Sequence, residues 1–511
     1  MDTWNTAFRY GSLTDMYRIY CLVTLFLLAT SVVRAFDATQ ILVVYRAGSD
    51  DLNRNGIGDS EEIARYYAER RGVPASNLLS VKVSFGDNGM DNPRLSWPWA
   101  EFRKDLVEPV CKRLNSLGRD RMRVILLCPG IPARVMNPKD KEESADLAIG
   151  CPFLINNLGT NFRRSYEVWT NRYGMPRFDE FRVNRQGPDD ETPYLVSRID
   201  GINVTVCKSQ IDGAIYAETY AVDGFAYLDT RYGDYSDDDL RKWIKNPYYN
   251  SYADIDKSMA LASLFYADAK LKIRKQVDYE VVGDAKPGLK YTDGTPATSA
   301  PRALLYAGWY NYGQYMPVWD WMPGSVAVDF NSASLYGPRT VGASFGGMAL
   351  FNGANGVTGC FTEPGSMGHS MPDVLMYYYT KGYTFAEAAW LSIPAKPMFC
   401  YSIGDPLMNP YGLGRGPDTR IEEPDVTLDK DGKNVVVRIR MKGRADIARA
   451  RVITLDKADD SRLPPATWKD GLFLREHLLT TPVPSAKPAV IGVVVTDPAG
   501  NTARVWKDWV L

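Results

Sequence analysis

Apolar and polar positions follow two periods along the first part of the chain. Continuous apolar runs at residues 40–45, 78–83 and 123–128 predict buried strands. Between these runs, apolar residues recur at helical spacing, with a polar face, over residues 60–71 and 97–117. Since strands and helices alternate, the pattern indicates βαβ units and therefore a parallel sheet.

The same alternation continues through the middle of the chain. It predicts strands at residues 194–199, 225–229, 279–282, 303–306, 325–330 and 356–361, and helices at 208–219, 258–275, 371–380 and 384–391. The stretch 301–364 combines three of these strands with small-residue turns and a Gly-rich helical piece, which is typical of a buried parallel sheet. Parallel sheets place their ligand-binding and catalytic sites at the carboxyl ends of strands, so we expect a functional site in the loops after Tyr306 and Phe330.

The pattern changes after residue 412. Residues 413–424 are rich in Gly, Pro and charge, which suits a linker, and residues 425–511 alternate apolar and polar positions between turn signals. The alternation predicts an immunoglobulin-like β-sandwich. The expected organisation is thus an α/β domain over residues 36–412 with a mostly parallel sheet, followed by an all-β domain that has a spacer or packing role.

The pattern of residues at the N-terminus is typical of an export signal. Residues 20–33 form an apolar run that follows Arg18, and Ala35 supplies a small residue at a plausible cleavage point. The run is short for a membrane span, so residues 1–35 are interpreted as a signal peptide, with an uncleaved N-terminal anchor as the alternative. Met16 is an alternative start. The expected location is the periplasm, the cell envelope or the extracellular space, with membrane contact only through this segment if it is uncleaved.

Composition narrows the choice of partners. The 511 residues carry a formal net charge of -1 and no block of Lys or Arg, which argues against nucleic acid as a partner. Of the seven cysteines, six follow Ala35 at wide spacings, which allows either disulfides or buried thiols. The chain has two histidines, neither paired at ligand spacing, so a zinc site is not expected. The oligomeric state is left open.

A loop between the first strand and its helix has the spacing of a calcium site. Residues 51–62 place oxygen side chains at loop positions 1, 3, 5, 9 and 12 and Gly at position 6. The predicted ligands are the side chains or carbonyls of Asp51, Asn53, Asn55, Ile57, Asp59 and Glu62. The loop is flanked by a strand and a helix, unlike the loop of an EF-hand. The alternative interpretation is a polar loop that caps the helix. Calcium is therefore a possible cofactor.

Side chains in the sheet region allow several kinds of catalysis. Cys360 and His369 are close in sequence, but the sequence favours a buried thiol and a loop histidine over a Cys-His dyad. Carboxylates at predicted strand ends could act as an acid/base pair; they are Asp146, Asp200, Asp229, Asp320, Asp329, Glu363 and Asp405. Clustered aromatics in residues 309–321 could stack on sugar or peptide, or could fill the core. No phosphate loop or dinucleotide-binding Gly motif follows the first strand.

An ordered series of segments resembles a family of exported bacterial proteins. The segments are ILVVYRA, EEIARYYAERRGVPASNLL, RVILLCPGIPARV, YLVSRIDG, AGWYNYG, GVTGCFTEP, FAEAA and IGDPLMNPY. The family is uncharacterised and occurs in species that carry exosortase, the membrane enzyme that sorts proteins with a C-terminal anchor signal. The resemblance covers residues 37–411.

The same order is more distantly similar to gingipain-type cysteine peptidases, which implies a caspase-like fold. Residues 197–200 and 404–407 fit the pattern of those peptidases. The catalytic positions differ, because Trp309 stands where the family has His and residues 332–334 (Ser-Ala-Ser) stand where it has Cys. Without an imidazole, no base for a thiol or hydroxyl is evident.

Three functions remain open from the sequence. The first is a non-catalytic or altered relative of these peptidases that binds peptide or polysaccharide at the cell envelope, with a substrate-binding surface made of Trp309, Tyr310, Trp319 and Trp321. The second is a hydrolase, whose candidate catalytic residues are Asp329, Ser332 and Ser334. The third is a structural envelope protein.

Overall fold

The computed structural model describes most of the chain after Ala35. The described residues are 36–84, 96–158, 193–220, 224–230, 235–243, 251–268, 272–277, 289–291, 296–297, 300–309, 315, 317–365, 368–393, 399–412, 420–443, 447, 449–459, 476–485, 488–497 and 502–510. The predicted signal segment 1–35, Tyr310 and the predicted strand at 279–282 lie outside them. Within the described part of the chain, no helix is both long and apolar enough to cross a membrane.

The first half contains the predicted βαβ units. Its strands are β1 (Ile41–Arg46), β2 (Leu78–Val81), β3 (Trp97–Pro98), β4 (Val124–Leu127), β5 (Arg134–Met136), β6 (Glu142–Ser144) and β7 (Leu195–Arg198). Its helices are α1 (Asp59–Arg71), α2 (Trp99–Phe102), α3 (Glu108–Leu117), α4 (Ala145–Ile149), α5 (Pro152–Leu158) and α6 (Val204–Tyr220). A π-helical turn, Arg103–Val107, joins α2 to α3.

The second half alternates in the same way. Its strands are β8 (Phe225–Thr230), β9 (Lys272–Val277), β10 (Leu289–Tyr291), β11 (Pro296–Ala297), β12 (Ala300–Gly308), β13 (Trp319–Asp329), β14 (Gly356–Cys360) and β15 (Cys400–Gly404). Its helices are α7 (Asp237–Trp243), α8 (Tyr252–Asp268), α9 (Phe345–Phe351), α10 (Pro372–Thr380) and α11 (Phe385–Ser392).

One predicted helix is partly wrong. Residues 258–275 were expected to be helical, but α8 ends at Asp268 and residues 272–277 form β9. The segment KIRKQV has its apolar residues at Ile273 and Val277, a spacing that fits a helix as well as a strand. It pairs in parallel with β8 on one side and antiparallel with β10 on the other, so tertiary pairing decides its conformation.

The sheet has twelve strands, of which ten form two parallel blocks of opposite direction, while β10 and β11 add antiparallel at one side. The order is β11-β10-β9-β8-β12-β13-β14-β15-β7-β4-β1-β2. Strands β14 and β15 pair antiparallel, while β15, β7, β4, β1 and β2 are mutually parallel, as are β14, β13, β12, β8 and β9. The predicted α/β class with a mostly parallel sheet is confirmed. The strands of the two blocks therefore end at opposite edges of the sheet.

Side chains alternate between two cores, one on each face of the sheet. Tyr306, Ala327 and Val357 pack on one face, and Ala307, Val326 and Val328 pack on the other. Successive residues of a strand point to opposite faces, so a strand buried on both sides is apolar at every position. This is why continuous apolar runs, and not alternating ones, mark the central strands.

Buried ion pairs connect the block that contains β7 to neighbouring segments. Arg198, at the end of β7, donates from Nε to Asp146 Oδ2 at 3.0 Å and lies 3.3 Å from Asp200 Oδ2. Arg339, from the segment between β13 and α9, makes two hydrogen bonds to the Asp200 carboxylate at 2.6 and 2.7 Å. Burial raises the pKa of Asp200, but the charges of Arg339 and Arg198 outweigh it and hold that pKa below its ordinary value.

The C-terminal part consists of two three-stranded antiparallel sheets. They contain β16 (Asp425–Leu428), β17 (Asn434–Arg440) and β19 (Glu476–Pro482), and β18 (Arg449–Leu455), β20 (Val490–Thr496) and β21 (Thr502–Asp508). Val437 and Ile439 of one sheet share a core with Val493 and Val495 of the other, which is consistent with the predicted β-sandwich. Backbone pairing already begins at Arg420, which accepts from Lys442 N, while residues 413–419 of the predicted linker lie outside the described residues.

Candidate functional site

The expected site lies where β8, β12, β13 and β14 end. In the register of the sheet, Gly308 at the end of β12 pairs with Asp229 on β8 and with Asp329 on β13. Paired residues of parallel strands face the same side, so the two carboxylates flank a glycine on one face of the sheet. A Cβ at Gly308 would collide with Tyr306 Oη and Asp229 Cβ, so only glycine fits between them.

Both carboxylates are buried and engaged in hydrogen bonds. Asp229 is inaccessible, and its Oδ2 accepts from Tyr306 Oη at 3.4 Å. Asp329 is 2% exposed, and its Oδ1 accepts from Asn331 Nδ2 at 2.8 Å. The predicted catalytic candidate Asp329 therefore lies at the strand end, as expected, but beneath the surface.

Trp309 is fixed in the core of the opposite face. Its side chain is 8% exposed, and its Nε1 donates to Asp256 Oδ1 of α8 at 2.8 Å. Its ring packs against Phe330 with centroids 5.2 Å apart and against Tyr252 at 5.6 Å. Trp309, which the sequence resemblance places at the position of a catalytic His, is thus an indole with its N–H already bonded.

The other predicted aromatics lie elsewhere. Trp319 and Trp321 begin β13, far along the strand from Asp329, and stack on each other at 5.7 Å. Both are buried, and Trp321 Nε1 donates to Tyr315 Oη at 2.9 Å. They belong to the core on the face of Tyr306, whereas Trp309 belongs to the other core. The structure therefore does not bring Trp309 together with Trp319 and Trp321, and Tyr310 lies outside the described residues.

The two candidate serines differ in accessibility. Ser332 lies at the surface, where its Oγ donates a hydrogen bond to Glu363 Oε2. The second oxygen of Glu363 accepts from Gly365 N at 2.7 Å, which fixes the carboxylate in place. Ser334 is 1% exposed, and its Oγ accepts from Cys360 N at 3.0 Å, so it anchors the end of β14. Only Ser332 of the two could meet a ligand without rearrangement.

Cys360 and His369 do not form a free thiol–imidazole pair. Cys360 is joined to Cys400 in a disulfide across the paired strands β14 and β15. His369 is 2% exposed, its Nδ1 lies 4.0 Å from Cys360 Sγ, and its ring meets Phe330 edge-on at 5.4 Å. Burial lowers the pKa of His369 to about 4, so the imidazole is neutral at pH 7.

The chain's second histidine gives no base at this edge. His477 lies on β19 in the C-terminal sheets. The candidate site therefore offers carboxylates and a hydroxyl, but no charged or accessible imidazole among its described residues.

The calcium-like loop lies at the opposite edge of the sheet. Asn53 Nδ2 and Asn55 Nδ2 both donate to Glu62 Oε2, at 2.8 and 2.7 Å, so the side chains at positions 3, 5 and 12 converge. Lys208 Nζ, from α6, occupies Glu62 Oε1 at 2.6 Å. Burial raises the pKa of Glu62, but the hydrogen bonds and charge of Lys208 and the two amides outweigh it and lower that pKa.

The remaining oxygens of the loop stabilise its backbone. Asp51 accepts from Asn55 N at 3.0 Å and from Gly56 N at 2.8 Å, and Asp59 Oδ1 accepts from Leu52 N at 3.2 Å. In the described part of the chain, no three His, Cys, Asp or Glu side chains cluster to hold a metal. The converging set fits a calcium ion only with amide and carbonyl oxygens included, so calcium stays a prediction.

The sequence named some of these residues without their partners. Asp229 and Asp329 both end apolar strands, FAYLD and SVAVD, and that shared pattern identified them as carboxylates at strand ends. Glu363 appeared in the same set, but nothing local indicated that it would meet Ser332, 31 residues away. Asp256, which holds Trp309, was missed because a helix residue 53 positions away carries no periodic signal of that contact.

The comparisons with known proteins give distant likenesses. No family model matches the chain, and no curated protein matches it in sequence. A solved complex of the pro- and mature domains of RgpB from Porphyromonas gingivalis is similar at 11% identity with a TM-score of 0.42, over 92% of this chain and 99% of that chain. A structure described as a protease is similar at 10% identity with a TM-score of 0.38, over 92% and 97% of the two chains. Both likenesses are too distant to assign an activity.

Proposed function

We propose that this chain is an exported, non-hydrolytic relative of the caspase-like peptidases that binds a peptide or a polysaccharide at the cell envelope. The proposal rests on the edge where β12 and β13 end, which has no accessible imidazole among its described residues. Trp309 is held there by Asp256 and Phe330, and His369 is buried and neutral. A nucleophile at this edge therefore has no imidazole to take its proton.

The surface of the same edge supports binding. Ser332 and Glu363 present a hydroxyl and a carboxylate to solvent, and Gly365 N fixes the carboxylate. Hydroxyl and carboxylate oxygens accept hydrogen bonds from peptide N–H groups and from sugar hydroxyls alike. The envelope location and the exosortase association are supported by the N-terminal pattern and the sequence resemblance, and they remain part of the proposal.

The test combines a binding assay and an activity assay on the mature chain. We expect a peptide array or a glycan array to retain the protein, and Glu363→Gln to weaken retention roughly fivefold, since one charge-assisted hydrogen bond is lost. Glu61→Gln is the matched control, because Glu61 pairs with Arg65 on α1, away from this edge. We expect no turnover of protein or glycan substrates. Hydrolysis that disappears in Ser332→Ala would overturn the proposal.

One observation favours a hydrolase as the second candidate. Ser332 Oγ already donates to the Glu363 carboxylate, so the carboxylate could accept the hydroxyl proton as the oxygen attacks an acyl carbonyl. In this case Ser332→Ala and Glu363→Gln would each abolish turnover and would leave ligand retention largely intact. The non-hydrolytic proposal requires the reverse outcome, namely no turnover in any variant and weaker retention for Glu363→Gln.

A further inference from the structure

A cavity of about 120 Å³ opens at the edge of the sheet opposite to the candidate site. It lies beyond the carboxyl ends of β1, β4 and β7, next to the calcium-like loop. Residues from all three connections line it, together with one residue from the segment between β13 and α9; they include Ser49, Asp50, Asp59, Pro129, Asn203 and Arg339.

The position of the cavity follows from the strand order. The chain runs from β1 outward to β2, then returns to the other side of β1 to form β4 and β7. The connection that leaves β1 and the connection that leaves β4 therefore run in opposite directions across the sheet. Open α/β sheets bind ligands in the crevice at such a point, outside the carboxyl ends of the strands. The first residues of α1 and α6 both reach this crevice, through Asp59 and Val204.

The charge of the cavity is unbalanced. Asp200, beside it, is neutralised by Arg198 and Arg339, and Glu62 is neutralised by Lys208. In contrast, neither Asp50 nor Asp59 has an ion-pair partner among the described residues. A positive group in the cavity would pair with these two carboxylates, which both line it.

The size of the cavity indicates the kind of cation. One water needs about 10–15 Å³ of such space, so the cavity holds a group of several heavy atoms and not only a bare ion. Leu52, Ile202 and Val204 add apolar surface to its wall, and Leu52 is 65% exposed at the rim. We propose that this cavity binds an organic cation, a guanidinium or a primary ammonium group on an apolar stem, between Asp50 and Asp59. The site does not depend on the function proposed for the opposite edge.

The experiment measures binding of Nα-acetyl-arginine amide and Nα-acetyl-lysine amide to the mature chain by calorimetry. Nα-acetyl-citrulline amide, which has the shape of the arginine probe but no charge, is the matched control ligand. We expect at least one charged probe to bind roughly tenfold more tightly than citrulline, since only the charged group pairs with the carboxylates. Equal binding of the charged and uncharged probes, or no binding of any probe, would overturn the proposal.

Variants locate the site. We expect Asp50→Asn and Asp59→Asn each to weaken binding of the charged probe roughly fivefold or more, and Glu61→Gln to leave it unchanged. Glu61 lies on the same helix as Asp59 but pairs with Arg65 outside the cavity. Asp50 is exposed, so its substitution tests the site even if Asp59→Asn impairs folding. Binding of the charged probe that persists in both variants contradicts an organic-cation site between Asp50 and Asp59.

Discussion

The two edges of the sheet are closed by different kinds of contact. Where β12, β13 and β14 end, Trp309, Phe330 and His369 pack on each other and a disulfide joins Cys360 to Cys400. Where β1, β4 and β7 end, charged groups hold the loops and a cavity remains open between them. A sheet built from two blocks of opposite direction can thus carry one sealed edge and one open edge.

The difference bears on where ligands bind. Aromatic packing and a disulfide cover the sealed edge, and among its described residues Ser332 and Glu363 offer a hydroxyl and a carboxylate at the surface. Charged side chains hold the loops at the other edge, where Asp50 and Asp59 have no ion-pair partner among the described residues. The sequence predicted a site where β12 and β13 end, whereas the cavity lies where β1, β4 and β7 end.

The largest expected effect comes from the ion pairs beneath the open edge. Arg198→Met leaves Asp146, which is 2% exposed, without its cation. Removing one member of a buried pair typically costs about 3–5 kcal/mol of unfolding free energy, because the remaining charge stays buried. Urea denaturation measures the loss. The double variant Arg198→Met with Asp146→Asn should recover part of it, and equal losses in both variants would show that the pair is not coupled.

The next effect concerns the disulfide of the sealed edge. It closes a loop of 40 residues and joins β14 to β15, which is the antiparallel junction between the two blocks. Replacing both cysteines by Ser should lower the unfolding free energy by roughly 2–4 kcal/mol, since the unfolded chain gains freedom. A reductant should destabilise the native chain by a similar amount and leave the double variant unaffected. A native chain that is indifferent to reductant would contradict this.

These two predictions show what the sequence could and could not reveal. Continuous apolar runs located β1, β4, β7, β12 and β14 because strands buried on both faces have no polar positions. The antiparallel junction at β14 was invisible, because strand direction is set by partners distant in the chain. The sequence allowed Cys360 a disulfide without naming Cys400 as its partner, since six cysteines leave many pairings open.

The aromatic surface could not be predicted for a related reason. Trp309, Trp319 and Trp321 are close in sequence, but they lie on opposite faces of the sheet. Trp309 follows the end of β12, whereas Trp319 begins β13 and pairs with Ala300 at the start of β12. Periodicity gives the face of a residue only within one strand, so the relation between residues on two strands had to be seen.

A smaller effect concerns the buried histidine of the sealed edge. The pKa of His369 is about 4 in the folded chain, below the ordinary value of about 6.5 expected when unfolded. Since the unfolded state binds the proton more tightly, the stability is fully present above pH 6.5 and is lost as the pH falls toward 4. The loss over this window is about 3 kcal/mol.

Thermal denaturation at pH 7 and pH 4.5 checks the histidine prediction. His369→Gln should flatten the change between the two pH values, whereas His477→Gln, on β19, should keep it. A native-like pH dependence in His369→Gln would show that other groups cause it.

The smallest expected effect tests the loop that borders the open edge. If residues 51–62 bind calcium, a free concentration about five times the dissociation constant should stabilise the chain by about 1 kcal/mol. Asp51→Ala should abolish this response. Lys208→Met should strengthen it, because the ammonium that occupies Glu62 Oε1 at 2.6 Å competes with the ion for that oxygen. Melting temperatures in calcium and in chelator decide the matter: if they are equal for the native chain and for both variants, the loop is a turn that caps α1, and the open edge has its cavity without a metal beside it.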